Sequence, residues 1–211
     1  MRPIFRGLIL ILWPFIADLQ GQTLTNNAGG SSFSALPPPP AWCWASDFSS
    51  DSLDFGSAVV ADRVSGETYV AGRFKGDLSP IFPTGVNNTP NMSAPIGVED
   101  GLVAKYDPLG NPIWAFKVGG TGAETEIRDI AIEPGVGFFI TGRINGTIQF
   151  AGVVGSPTGS LTSTSNDAFI AKYDLNGNLL WVRKAAAPAD DAGAGIHCDG
   201  TSVFITGNYR G

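Results

Sequence analysis

Residues 100–114 read DGLVAKYDPLGNPIW and residues 167–181 read DAFIAKYDLNGNLLW, so the chain spells one stretch twice at an offset of 67. Asp100 matches Asp167, the AKYD of 104–107 matches that of 171–174, Gly110 matches Gly177, Asn111 matches Asn178 and Trp114 matches Trp181, without a gap. Coincidence over that length marks a repeat protein, which folds by stacking like units that cannot each bury an apolar face alone. That requirement constrains the fold more tightly than composition does.

In the copy at 167–181, Phe169, Ala171 and Tyr173 alternate with Ala168, Ile170 and Lys172, the period of a strand. Asn176 and Gly177 follow, a pair that accepts positive φ at both central positions of a tight turn, and Leu179, Leu180, Trp181 and Val182 open a second strand. In 100–114 the same turn is written Pro108, Leu109, Gly110. A second signature recurs out of phase: YVAGRFKG from Tyr69, FITGRING from Phe139 and FITGNYRG from Phe204. Each follows a short apolar strand ending in an acid, Asp62, Glu133 or Asp199, and a glycine-bearing turn. Its glycines, Gly72, Gly142 and Gly207, lie 70 and 65 residues apart, so one period holds two local hairpins. The expected fold class is all-β, made of four-stranded antiparallel β-propeller blades, because radial stacking covers both faces of each small sheet.

A tryptophan strand, an apolar strand ending in an acid, a glycine turn, a YVTG-like strand, a long loop and a DAFVAKYD-like strand closing on Gly, Asn and Trp follow one another here. This order resembles the bacterial β-propeller repeat family called SBBP repeats, over about residues 42–211. The resemblance implies six to eight blades in an intact member and no particular activity.

Residues 1–21 have the form of an export signal: Arg2 and Arg6, then the apolar run GLILILWPFIA from Gly7 to Ala17, then the small Gly21. The run is too short for a membrane anchor, which needs roughly 20 apolar residues. The expected location is outside the cell or at its surface, with no stable membrane span once the signal is removed. Removal takes Arg2, Arg6 and Asp18, leaving 11 basic against 18 acidic side chains, a balance that repels nucleic acid. Residues 22–40 read as a linker, polar first and then LPPPP. Residues 41–211 hold the repeats. Their first tryptophan strand, residues 42–46, has no AKYD strand before it and is expected to clasp the last blade of a ring. Polar inserts at 76–99 and 146–166 separate the hairpins and are either a ligand-binding surface or a further short strand, such as TIQFAG at 147–152, with a mobile tip. Sequons at Asn87, Asn91 and Asn145 matter only in a glycosylating pathway. Because Gly211 falls in mid-unit, about two and a half blades of an incomplete propeller are expected, as the N-terminal part of a longer protein.

Candidate chemistry is sparse. His197 and Cys198 are strand neighbours pointing to opposite faces, so they do not share a metal without a bulge. Cys43 and Cys198 are the only thiols, and a disulfide between them needs their Cα atoms within about 7 Å. VGGTGAE at 118–124 lacks the spacing of a phosphate loop and reads as a turn between units. Asp174, Asn176 and Asn178 suggest a calcium loop, but Gly177 precedes the third oxygen ligand and Ala185 stands where the closing glutamate belongs. Asp62, Asp100, Glu133, Asp167 and Asp199 recur by unit, as do Lys105 and Lys172, which points to strand-end hydrogen bonds and pairing rather than catalysis. Trp114 and Trp181 are expected packing wedges. No catalytic, cofactor-binding or metal residue is assigned. The expected function is a non-catalytic binding or scaffold module for a protein or glycan. The alternative is part of a propeller enzyme, a quinoprotein-like oxidoreductase or a lyase, with its site in other blades.

Overall fold

The computed structural model describes residues 50, 52–78, 92–94, 97–153, 158–185 and 188–210, and the backbone of strands at 7–12, 23–24, 33–34 and 42–48. All secondary structure among these residues is strand: β1 (Gly7–Leu12), β2 (Thr23–Leu24), β3 (Phe33–Ser34), β4 (Trp42–Phe48), β5 (Asp54–Ala61), β6 (Thr68–Phe74), β7 (Asp100–Tyr106), β8 (Pro112–Gly119), β9 (Glu124–Glu133), β10 (Gly137–Phe150), β11 (Gly159–Asp174), β12 (Leu179–Ala185), β13 (Ala192–Cys198) and β14 (Val203–Asn208).

β5 to β8 form one antiparallel meander and β9 to β12 a second, each strand pairing with its neighbour in sequence. β13 and β14 pair as the start of a third unit. These are two four-stranded propeller blades and a following hairpin. The two sheets join as one ladder where Gln149 and Phe150 of β10 pair with Gly119 and Val118 of β8. Otherwise they pack face to face, and the main core lies in the seam: Tyr69, Val103, Trp114, Phe116 and Val118 of the first blade meet Ile127, Ile130, Phe138, Ile140 and Tyr173 of the second. Trp114 has rings on three sides, with centroids 5.9 Å from Tyr69, 5.5 Å from Phe116 and 5.9 Å from Phe138. The far face of the first blade buries Val70, Phe74, Leu102 and Tyr106 under Leu78, Met92 and Ala94, contributed by the insert. Ala131 and Phe139 of the second blade meet Ile196 of the hairpin.

The glycines of the second signature answer a bulge. In all three units the register slips on or opposite the first strand, between Gly56 and Ala58, opposite Thr141 and Gly142, and between Gly193 and Gly195. The slip brings a carbonyl against the partner glycine: a Cβ on Gly72, Gly142 or Gly207 would lie about 2 Å from the carbonyl oxygen of Phe55, Glu126 or Ala192. Only a residue without a side chain fits, and the bulge twists the strand that packs on the next blade.

Three expectations change in detail. The turn at Asn176-Gly177 is not a two-residue turn. Gly177 N donates to Asp174 O, Asp174 N donates to Asn178 O, and Gly177 takes positive φ (83°). Asp174 selects this form because its side chain accepts from Asn176 N, Asn178 N and Asn178 Nδ2. Asp107 does the same for Leu109 N, Asn111 N and Asn111 Nδ2, so both copies share one geometry. Second, most of the insert at 146–166 is sheet. TIQF is not a separate strand but the end of β10, continued past a register slip between Ile144 and Gly146 and paired with the start of β11. Third, the tryptophan strand β4 has a partner: β1 pairs with it antiparallel, Gly7 opposite Phe48 and Leu12 opposite Trp42. An open strand edge recruits an extended apolar segment within reach, and the run read as a signal core is one. Within the stretch read as a linker, Thr23 and Leu24 pair with Ser34 and Phe33. Residues 79–91, with the sequons at Asn87 and Asn91, lie outside the described residues.

Candidate functional site

The seams between units are where charged side chains collect, and the repeat builds each seam by the same rule. At the first, Thr125 N donates to Glu99 O at 2.8 Å; at the second, Asp191 N donates to Asn166 O at 2.7 Å. Each bond ties a residue just before or at the start of an inner strand to the residue that precedes the repeated aspartate, Asp100 or Asp167, of the preceding blade. The carbonyl that meets the signature glycine makes Phe55, Glu126 and Ala192 equivalent positions, and the seam bond just before Glu126 and Ala192 agrees.

Glu126 is the hub of the first seam. Arg73, from the preceding blade, donates through Nη1 to Glu126 Oε1, while Arg128 Nη2 (2.9 Å) and Arg143 Nε (2.6 Å) donate to Oε2. Burial pushes the Glu126 pKa up, but the hydrogen bonds from Arg128 and Arg143 and the Arg73 charge outweigh it and hold the carboxyl below its ordinary value. Arg73 also stacks on Phe55, 4.5 Å from the ring centroid, and pairs with Glu99 at 3.5 Å.

At the second seam the hub position is Ala192. A cleft of about 180 Å³ opens there, lined by Arg128, Arg143, Asn166, Asp190, Asp191, Ala192, Asn208 and Arg210. Arg143 occupies the position of Arg73, but the hub position across the seam holds Ala192 in place of a carboxylate, with Asp190 and Asp191 beside it on the wall; Arg143 Nη1 reaches Asn166 Oδ1 of its own blade at 3.2 Å. Asn208 replaces the arginine in the third unit.

Most residues weighed in the sequence hold blades together. Asp62 accepts from Val64 N and Asp199 from Thr201 N and Ser202 N, capping their own turns. The hydrogen bonds from Thr201 and Ser202 hold the Asp199 carboxyl below its usual range. Glu133 instead pairs with Lys172 at 2.6 Å. Lys105 takes a different acid, Glu67 at 2.8 Å, and donates to Leu175 O of the next blade at 3.1 Å. The two lysines also cover equivalent rings, Tyr69 at 5.2 Å and Phe139 at 4.9 Å. Asp100 pairs with Lys117 at 3.1 Å and Asp167 with Lys184 at 2.7 Å. Burial raises the Asp100 carboxyl above its usual value, with the Lys117 charge opposing.

Both oxygens of Asp174 are occupied by N–H donors of its own turn, so this loop is closed as a hairpin and not opened as a calcium cradle. VGGTGAE ends β8 and turns at Gly120, whose carbonyl accepts from Ala123 N. His197 is exposed opposite Phe204, and Cys198 is a half-buried free thiol opposite Val203. The side chain of Cys43 lies outside the described residues. Among the described residues, no three His, Cys, Asp or Glu side chains converge as a metal site, and no helix is long and apolar enough to cross a membrane.

No family model matches the chain. It is 27% identical over 147 residues to an uncharacterised WD repeat-containing protein of Acanthamoeba polyphaga mimivirus, a match covering 59% of this chain and 10% of that protein. The chain thus spans about a tenth of that relative. The blades and this similarity together support a repeat binding or scaffold module.

Proposed function

We propose that the protein is an exported, non-catalytic binding or scaffold module of the SBBP propeller-repeat type, acting on a protein ligand at or beyond the cell surface. The observation that carries this reading is the use made of the recurring charged residues. Lys105, Lys172, Asp100 and Asp167 are engaged in pairs that join strands or blades, so the repeated chemistry is spent on holding a surface in place. The repeated architecture then serves to display what is not repeated, the insert of each blade and the second seam. Export rests on the two arginines and the short apolar run of residues 1–21. With that segment removed, β4 is free of β1 and open to another strand.

The test uses the full-length protein with a C-terminal tag in its producing cells. Mass spectrometry of the N-terminus is expected to show loss of roughly the first 21 residues. Protease added to intact cells or culture medium is expected to reach the tag. Recovery of the protein inside the cell with Met1 to Gly21 attached overturns the reading.

A further inference from the structure

We propose that the cleft at the second seam seats one carboxylate side chain of a partner protein, in the place that Glu126 fills at the first seam. This rests on the binding-module reading and gives it a site and a ligand chemistry. The repeat itself supplies the argument. Across the first seam, the arginine after the signature glycine, Arg73, meets a carboxylate of the next unit. Across the second, Arg143 stands in the same position and the hub residue is Ala192, and both line an open cleft of about 180 Å³.

Arg143 spends Nε on Glu126 and Nη1 on Asn166, which leaves Nη2 for the cleft. Arg128 and Arg210 line the same cleft. Their planar guanidinium forks match a carboxylate, and charge-assisted hydrogen bonds of that kind are stronger than neutral ones. The two acids on the wall are engaged: Asp190 Oδ1 accepts from Asn166 N at 3.2 Å and Asp191 Oδ1 from Arg210 N at 2.9 Å. Asp190 is exposed at the edge of the cleft. Among the described residues no aromatic ring lines the cleft as a stacking platform for a sugar, and its volume suits one side chain. An acidic peptide segment is therefore the ligand class, with the negative balance of the whole chain, net charge −6, screening out acidic surfaces that do not reach the arginines.

The probe is a blocked hexapeptide carrying a single glutamate, titrated into the 15N-labelled protein, beside the same peptide with glutamine. The glutamate peptide is expected to shift the amide signals of Asp191, Ala192 and Asn208, with binding weakened by salt. The glutamine peptide is expected to shift none of them. Ala192→Glu supplies the missing hub from within and is expected to weaken peptide binding at least tenfold while raising Tm. Arg210→Gln, which leaves the hub network intact, is expected to weaken it at least fivefold. Equal shifts from both peptides, unchanged binding by either variant, or tighter binding of a uronic-acid disaccharide than of the glutamate peptide each overturn the assignment. Protease accessibility of the intact protein reads the export reading separately, so the two fail independently.

Discussion

Trp114→Ala tests the seam directly, because this ring is the largest side chain placed between the two blades. Trp114 is 5% exposed and stacks on Phe116 and Phe138, with Tyr69 edge-on. It also reaches the turn of the next blade: a Cβ on Gly177 would sit 3.3 Å from its Cε2. A tryptophan buries roughly 150–250 Å², which at about 25 cal/mol per Å² corresponds to about 4–6 kcal/mol. Alanine retains a part of that and neighbours relax into the gap, so the expected loss is about 3–5 kcal/mol. For a chain of this size that lowers Tm by roughly 6–20 °C, read by calorimetry or by denaturant unfolding. Trp181 occupies the same position of the repeat but is only half-buried, with Phe139 at 6.0 Å as its ring neighbour. Trp181→Ala should therefore cost less, about 1–2 kcal/mol by the same area argument. A loss for Trp114→Ala below about 1 kcal/mol, or one no larger than for Trp181→Ala, refutes face-to-face packing of the blades, since the tryptophan would then lie outside any seam.

Gly142→Ala places a methyl 1.9 Å from the Glu126 carbonyl oxygen, so it should destabilise by more than about 2 kcal/mol in urea unfolding. Gly135→Ala, with nothing within 4 Å but φ of 74°, should cost only about 1 kcal/mol. Glu126 and Asp100 should give stability opposite pH slopes. The Glu126 pKa is depressed, so its contribution is present above the ordinary value of 4.5 and is lost as pH falls through the folded pKa; Glu126→Gln should remove that acid-side loss. The Asp100 pKa is raised, so its contribution is complete below 3.8 and is lost as pH rises through the folded pKa, and Asp100→Asn should flatten that decline in melts taken across the acid range. Lys105→Met removes the bonds to Glu67 and Leu175 O and is expected to cost about 1.5–3 kcal/mol, more than Lys172→Met, whose partner Glu133 belongs to the same blade.

The sequence discloses the blade but not the seam, and the reason is physical. Strand alternation and turn residues are local signals, so the matching letters of 100–114 and 167–181 suffice to place β7, β8, β11 and β12 and the hairpins they make. The recurrence of Lys117 and Lys184 at the same offset of 67 was equally visible, and it marks the partners of Asp100 and Asp167. What single-stretch reading misses is contact between units. Glu126 reads as an ordinary polar position of an alternating strand, and nothing local says that Arg73, 53 residues earlier, donates to it. Its role appears only when the three units are aligned on the bulge, which sets Phe55, Glu126 and Ala192 in one column. That column behaves unlike the others. The glycine beside it is kept in every unit because a carbonyl leaves it no room, whereas the column itself holds an aromatic ring, a carboxylate and a methyl in turn. A position whose backbone is fixed and whose side chain is free to differ is where a repeat protein can acquire individuality without losing its stack. Arg73 stacks on the ring in the first unit and pairs with the carboxylate of the second, and at the methyl of the third an arginine cleft stands open. The difference in charge pairing between one seam and the next therefore turns on the side chain at the start of β13, where Ala192 stands in the column of Glu126.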